Sequence, residues 1–243
     1  MQIHIPPPIR GLVLAVVLIF AARFSSAAPI ALNTPAGLNP GDPFRFLFVT
    51  AGLTTATMSD LGSYYNSWVQ GQAGGATYGG VTVNWKAVGS TVLTSAAFNV
   101  GGFGTNVPVY LVDGTRLARS MGRTYGEGLW GGSLEANPSL GIDGSVVSGL
   151  AWTGSDTQGL TVPERALGWG TTIYGTTTQR DGSWISYQWY LDKSSFLHMY
   201  GLSEELNASS PPVPEIDPAG MGAVLAVVTG ALGLRERRRL KVA

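Results

Sequence analysis

The stretch Phe44-Arg-Phe-Leu-Phe-Val-Thr50 decides the fold, because it alternates large apolar side chains with other residues. Alternation with a period of two is typical of a β-strand. Working outward from it, apolar and amide residues at helical spacing predict a helix over Ser59–Gln72, with Ser59 or Thr57 as its cap. Further strands are predicted at Val81–Val88, Val107–Val112 and Leu197–Leu202.

The second half of the chain loses this regularity and is instead rich in short segments that pair a tryptophan with glycine or another small residue. A strand, a helix, further strands, a long loop-rich region and a late strand predict an α+β domain over residues 44–207. A jelly-roll β-sandwich is the alternative for a glycine- and aromatic-rich domain.

The arrangement resembles the C-type-lectin-like family in the broad sense, including its endostatin-type relatives. The resemblance is carried by Phe44–Thr50, Ser59–Gln72, Trp85-Lys-Ala87, Leu129-Trp130, Ala151-Trp-Thr-Gly154 and Leu197–Leu202. It implies that the terminal strands pair and that the second half forms a long loop region. The Glu-Pro-Asn and Trp-Asn-Asp triplets of calcium-dependent sugar binding are absent from the sequence. The resemblance therefore does not extend to a calcium site.

The N-terminus predicts a signal peptide over residues 1–28. Arg10 precedes twelve largely apolar residues, Gly11–Ala22, and small residues follow at Ser25-Ser-Ala-Ala28. This order is typical of a segment that signal peptidase removes. A proline-containing, extended lead-in over residues 29–43 then connects it to the domain.

The C-terminus predicts an anchor in three parts. Residues 208–218 form a proline-rich spacer, residues 219–234 an uncharged helix of marginal membrane-spanning length, and residues 235–243 a basic cytoplasmic tail. Its basic cluster comprises Arg235, Arg237, Arg238, Arg239 and Lys241.

Val213-Pro214-Glu215, followed by the apolar helix and the arginines, resembles the PEP-CTERM sorting signal recognised by exosortases, and is similar to the form found in planctomycetes. The resemblance implies processing near Pro214-Glu215 by an exosortase-type enzyme. It implies an exported protein of the cell surface or extracellular matrix, held transiently in the inner membrane by its C-terminal helix. It implies nothing about the chemistry of the middle domain.

The amino-acid composition of the middle domain limits the partners and reactions that it can support. Residues 29–213 carry eight basic and twelve acidic side chains, so the domain is weakly acidic and no nucleic-acid partner is predicted. The chain has no cysteine, which excludes disulfides and thiol catalysis. The mature domain has one histidine, His198, and no nucleophile elbow, phosphate loop or dinucleotide fingerprint. We therefore predict no enzymatic activity and no cofactor, with calcium conceivable in the acidic loops but without a matching motif.

Aromatic side chains that we expect to be exposed are the candidate binding groups, because sugar rings stack on their apolar faces. They are Trp130, Trp152, Trp169, Trp184, Tyr187, Trp189 and Tyr190. The densest group is Trp184, Tyr187, Trp189 and Tyr190, although part of it could belong to the core. We therefore predict a non-catalytic module for polysaccharide or surface partners. The alternative is a polysaccharide hydrolase with paired carboxylates, such as Glu127 and Glu135 near Trp130.

Overall fold

The computed structural model describes residues 28–101, 104–187 and 189–209. Residues 1–27 of the predicted signal peptide lie outside this part, as do Val213-Pro214-Glu215, the predicted membrane helix and the basic cluster from Arg235 to Lys241. Within the described part, no helix is long and apolar enough to cross a membrane.

The described residues form a sheet-rich mixed domain with few helices. Its helical segments are a π-helical turn (Leu61–Asn66) that continues into α1 (Ser67–Gln72), α2 (Ala96–Asn99) and a 3-10 turn (Gly182–Trp184). Its strands are β1 (Ala31–Leu32), β2 (Pro43–Val49), β3 (Thr77–Tyr78), β4 (Val81–Thr82), β5 (Trp85–Ala87), β6 (Val109–Leu111), β7 (Arg116–Ala118), β8 (Leu150–Trp152), β9 (Thr171–Thr176), β10 (Tyr190–Asp192), β11 (His198–Ser203) and β12 (Leu206–Asn207).

Strand β2 lies inside the main sheet, whose path is β10-β9-β8-β11-β2-β6-β7. It pairs antiparallel with β11 and parallel with β6. The short strands β5 and β12 extend the ladders of β11 and β2. The expected pairing of the early and late strands is therefore present, since β2 and β11 lie side by side.

Both faces of β2 are buried, and the alternation of its side chains creates two cores. Phe44, Phe46 and Phe48 point into one core, which also contains Trp85, Trp152 and Tyr174 and which we call the helix-side core. Leu47 and Val49 point into the other, with Trp130, Trp184 and Tyr200, which we call the loop-side core. Buried aromatic side chains dominate both.

Arg45 is buried on the loop-side face of β2. Its Nη1 donates to the carbonyl oxygens of Val100, at 2.8 Å, and Ser203, at 3.2 Å. Burial lowers the pKa of Arg45, and the negative charges of Glu205 and Glu204 partly offset this decrease. The guanidinium satisfies the carbonyl that ends α2, so the one charged residue of β2 ties that helix to the sheet.

The predicted helix at Ser59–Gln72 is present but begins later than expected. Asp60 caps it, and not Ser59 or Thr57, because its Oδ1 accepts from the backbone N–H groups of Gly62, at 2.8 Å, and Ser63, at 3.2 Å. A carboxylate satisfies two of the unpaired N–H groups at the helix start and is also favoured there by its charge. Leu61, Tyr65 and Val69 face the helix-side core.

The predicted strand Val81–Val88 is wrong in its continuity. The chain forms β4, in the small sheet β1-β3-β4, and then β5, in the main sheet. Between them Asn84 donates to the carboxylate of Glu204 at 3.0 Å, which holds the chain where it changes sheet. The loop-rich second half also contains β9 and β10, which the sequence pattern did not predict.

The two ends of the described domain meet at Tyr78. Its hydroxyl accepts from the backbone N–H of Ser209 at 2.8 Å and lies 2.8 Å from the hydroxyl of Thr34. The hydroxyls of Thr34 and Ser209 are 3.0 Å apart. The lead-in is thus not merely extended, because its strand β1 and Thr34 join the chain end at Ser209 to the small sheet.

Candidate functional site

Strand β10 forms one end of the main sheet and, among the described residues, pairs with β9 on one side only. Tyr190 lies opposite Ile173, and Asp192 lies opposite Thr171. Directly opposed residues of an antiparallel pair share a face of the sheet. Tyr190, Thr171 and Asp192 therefore lie on one face, while Leu191 points to the other.

Arg165 lies over Tyr190 on that face. Its guanidinium carbon is 3.8 Å from the centroid of the tyrosine ring, and Nη1 donates to the hydroxyl of Thr171. A guanidinium at this distance is attracted by the face of the ring, and the hydrogen bond fixes its rotation. One face of Tyr190 is thus covered by a cation, while the side chain as a whole stays 51% exposed.

Tyr187 lies on the opposite side of the sheet. Its ring stacks on Tyr174, with centroids 5.6 Å apart and planes inclined by 25°, and its backbone N–H donates to the carbonyl of Tyr174. Tyr174 belongs to the helix-side core. Tyr187 is therefore a half-exposed ring at the margin of a core, held in place by stacking.

Trp189 and Trp169 are the two tryptophans with large exposed areas, at 65% and 42%. Trp189 immediately precedes β10. Trp169 lies in the turn before β9, which is held to the end of β10 by a bond from Lys193 N to the carbonyl of Gly170. Trp169 and Trp189 therefore flank opposite ends of the residues that pair between β9 and β10. We call Trp169, Tyr187, Trp189, Tyr190 and Arg165 the aromatic edge.

The prediction that Trp130, Trp152 and Trp184 are exposed is wrong, because all three side chains are buried in the two cores. Trp184 is fully buried in the loop-side core. Its ring lies 6.3 Å from that of Trp130 and 5.4 Å from that of Tyr200. The 3-10 turn that carries it packs so closely on β9 that a side chain at Gly175 would meet the Trp184 carbonyl oxygen. Trp184 therefore supports the edge from within and cannot contact a ligand.

The paired carboxylates of the hydrolase alternative do not form a cleft with Trp130, because Trp130 is itself buried. Glu135 forms ion pairs with Arg116, at 3.0 Å, and Arg119, at 2.8 Å. Partial burial would raise the pKa of Glu135, but hydrogen bonds from Arg119 and Arg116 outweigh it and hold the pKa below its usual range. A general acid needs the opposite shift, so this geometry disfavours Glu135 as a proton donor.

His198 has a structural partner. Its Nδ1 donates to the carbonyl oxygen of Thr50 at 2.7 Å, which joins β11 to the end of β2. Over the described ranges, the side chains of His, Asp and Glu form no group of three or more suited to a metal ion.

The sequence predicted Trp169, Tyr187, Trp189 and Tyr190 as binding candidates, and the structure leaves all four exposed near β10, with Tyr187 on the opposite side of the sheet from Tyr190. The sequence prediction missed Arg165, which comes from a different loop and is brought to Tyr190 only by the pairing of β9 and β10. No local pattern around Arg165 distinguishes it from a solvated surface arginine.

Comparison with known proteins assigns no family to this chain. No protein-family model matches it, and none of the curated proteins matches it. The aromatic edge is therefore described by its own geometry: exposed rings at both ends of the pairing between β9 and β10, with the guanidinium of Arg165 held between them.

Proposed function

We propose that this chain is an exported surface or extracellular-matrix protein whose middle domain binds polysaccharide at the aromatic edge without cleaving it. The observation that carries the proposal is the distribution of tryptophans. Trp85, Trp130, Trp152 and Trp184 are buried and Trp68 is partly buried, whereas Trp169 and Trp189 are exposed together with Tyr190 at one edge. Exposed apolar side chains that cluster are typical of a binding surface.

The shape of the surface favours a linear polymer over a single small molecule. The exposed rings lie at both ends of the pairing between β9 and β10 and are therefore spread along the edge. A chain of sugar rings can place its apolar faces on several aromatic rings in turn, with hydroxyl groups left in water. Small ligands are instead usually enclosed in concave pockets.

The proposed fold relationship is the C-type-lectin-like arrangement. It is supported by the antiparallel pairing of β2 with β11 and by the helix that follows β2. The proposed destination follows from the predicted signal peptide, Val213-Pro214-Glu215 and the basic tail. Signal peptidase, an exosortase-type enzyme and the inner membrane are the partners that this route requires.

The test is affinity electrophoresis of the full chain, kept in mild detergent, through gels that contain one polysaccharide each. Wild-type protein is expected to be retarded in at least one gel, with no release of reducing sugar. Trp189→Ala is expected to restore most of the mobility, whereas Phe196→Ala, at another exposed apolar side chain, is the matched control. Equal mobility in every gel would reject the function, and released sugar would replace it with the hydrolase.

A further inference from the structure

We propose that the aromatic edge selects polysaccharides that carry carboxylate or sulfate groups, and that Arg165 recognises the anion. This inference rests on the proposed function and specifies its substrate class. The predicted ligand is a linear acidic polymer whose sugar rings contact Trp189 and Tyr190 while one anionic substituent contacts the guanidinium.

Arg165 has hydrogen-bond donors that the described part of the protein does not use. A guanidinium has five N–H donors in a fixed plane. Nη1 donates to Thr171, and no protein acceptor within the described residues takes the hydrogens of Nε or Nη2. These donors suit a carboxylate or sulfate, which accepts such bonds in a paired, charge-assisted geometry.

Arg165 is held in place before any ligand binds. Its plane is fixed from one side by the Tyr190 ring at 3.8 Å and from another by Thr171, and the side chain is half-buried. An exposed arginine on a free surface must lose side-chain freedom when it binds an anion. This one has lost much of that freedom on folding, so more of its interaction energy is available for binding.

The positive charge of Arg165 is not neutralised by a salt bridge within the described residues. Arg165 forms no ion pair with an acidic residue of the described chain, where the pairs are those of Glu135 with Arg116 and Arg119. Asp192 lies on the same face, but its Oδ1 accepts from the backbone N–H of Ser194, at 2.9 Å, and from the Ser194 hydroxyl, at 2.6 Å. Asp192 thus serves the turn after β10, and its charge opposes an anionic ligand without neutralising the guanidinium.

Substitutions of Arg165 and Asp192 are expected to change the retardation by the same acidic polymer in opposite directions. Arg165→Gln removes the cation and the paired donors, so retardation by polygalacturonate is expected to weaken by about tenfold. Asp192→Asn keeps an oxygen for Ser194 but removes the opposing charge, so retardation is expected to strengthen by about twofold. Arg165→Lys keeps the charge without the planar fork and is expected to lie between wild type and Arg165→Gln.

The experiment compares the full chain in gels of a neutral glucan, polygalacturonate and dextran sulfate, at low salt and at about 150 mM salt. Arg180→Gln, which removes an equal charge at another exposed position, controls for net charge, and thermal unfolding of each variant checks that it is folded. The inference is supported if Arg165→Gln weakens retardation by the acidic polymers alone. The two acidic gels distinguish carboxylate from sulfate as the source of the anion.

Other outcomes overturn the inference in distinguishable ways. In one, the neutral glucan retards the wild-type chain as strongly as the acidic polymers do, and this retardation is lost in Trp189→Ala but kept in Arg165→Gln. That result would keep the proposed function and reject the preference for acidic polysaccharides. If Arg180→Gln and Arg165→Gln weaken the retardation equally, the preference for acidic polymers would come from general charge attraction and not from a site at Arg165. Failure of all three polymers to retard the wild-type chain would reject the proposed function itself.

Discussion

Gly201 lies directly opposite Phe48 where β11 pairs with β2, and the phenyl ring of Phe48 covers it. A Cβ atom on Gly201 would lie 2.3 Å from Cε1 of Phe48 and 2.6 Å from Cγ1 of Val69. The absence of a side chain therefore lets both the phenylalanine and the helix α1 approach the centre of the sheet. This contact sets the distance between the helix and the two central strands.

Gly201→Ala is expected to destabilise the domain by about 3 kcal/mol. The new methyl group cannot be accommodated unless Phe48 and Val69 both move, and overpacking of a dense core typically costs this amount. Urea unfolding followed by tryptophan fluorescence measures the change. Gly170→Ala is the matched control, because its added Cβ meets no atom within 4 Å, and its unfolding midpoint is expected to stay close to wild type. Equal midpoints for the two variants would contradict the packing described here.

Trp184 and Trp189, five positions apart, are expected to respond in opposite ways. Trp184→Ala removes a fully buried ring and is expected to cost about 3–5 kcal/mol of stability. Trp189→Ala removes an exposed ring and is expected to change stability by less than about 0.5 kcal/mol while it abolishes most polysaccharide retardation. Thermal unfolding and affinity electrophoresis on the same two variants measure both effects.

Trp184→Phe refines this comparison. The indole Nε1 of Trp184 has no hydrogen-bond partner among the described residues, so phenylalanine loses packing area but no hydrogen bond. Its cost is expected to be clearly smaller than that of Trp184→Ala. Loss of retardation in a stably folded Trp184→Phe variant would show that the buried tryptophan does more than support the edge.

The sequence predicted the elements in which local pattern and tertiary packing agree. The alternation of Phe44–Thr50 identified β2, and apolar spacing identified the helix that ends at Gln72, because each has a buried face with a regular period. Strand β9 was missed because Thr171–Thr176 contains no apolar alternation, and its pairing with β8 and β10 determines its structure.

The candidate site was predictable only in part, for a related reason. A run of aromatic residues indicates a cluster but does not say which rings face the core, and Trp184 turned inward at the 3-10 turn before β10. Arg165 reaches Tyr190 through strand pairing between residues that are distant in sequence. Such a contact leaves no periodic signal in a single sequence.

The ion pairs of Glu135 predict a specific dependence of stability on pH. Hydrogen bonds from Arg119 and Arg116 lower the folded-state pKa of Glu135 below its value in the unfolded chain, despite the opposing effect of burial. The stabilisation is therefore fully present above the unfolded pKa of about 4.3 and is lost as the pH falls through the folded value. Because the arginines are well exposed, it is expected to be below about 1 kcal/mol.

Glu135→Gln tests this sign. The variant is expected to be slightly less stable than wild type at pH 7, and the difference between the two is expected to shrink towards pH 3. Urea unfolding at both pH values measures it, with Glu127→Gln, at an exposed carboxylate without a salt bridge among the described residues, as the control. A difference that grows as the pH falls would mean that the carboxylate is destabilising in the folded state.

Quenching of tryptophan fluorescence locates the binding surface independently of mutations that weaken binding. Acrylamide is expected to reach Trp169 and Trp189 readily and the partly buried Trp68 less readily. It is expected to reach Trp85, Trp130, Trp152 and Trp184 hardly at all, because these are buried. A polysaccharide bound along β10 covers both exposed rings, so it is expected to reduce the quenched fraction and to shift the emission to shorter wavelength. Trp169→Phe and Trp189→Phe should each lose part of this protection while they keep an aromatic face for the sugar. If the polysaccharide retards the chain in the gel but does not protect these two tryptophans from acrylamide, the polymer binds elsewhere on the domain. The aromatic edge would then not be the binding surface.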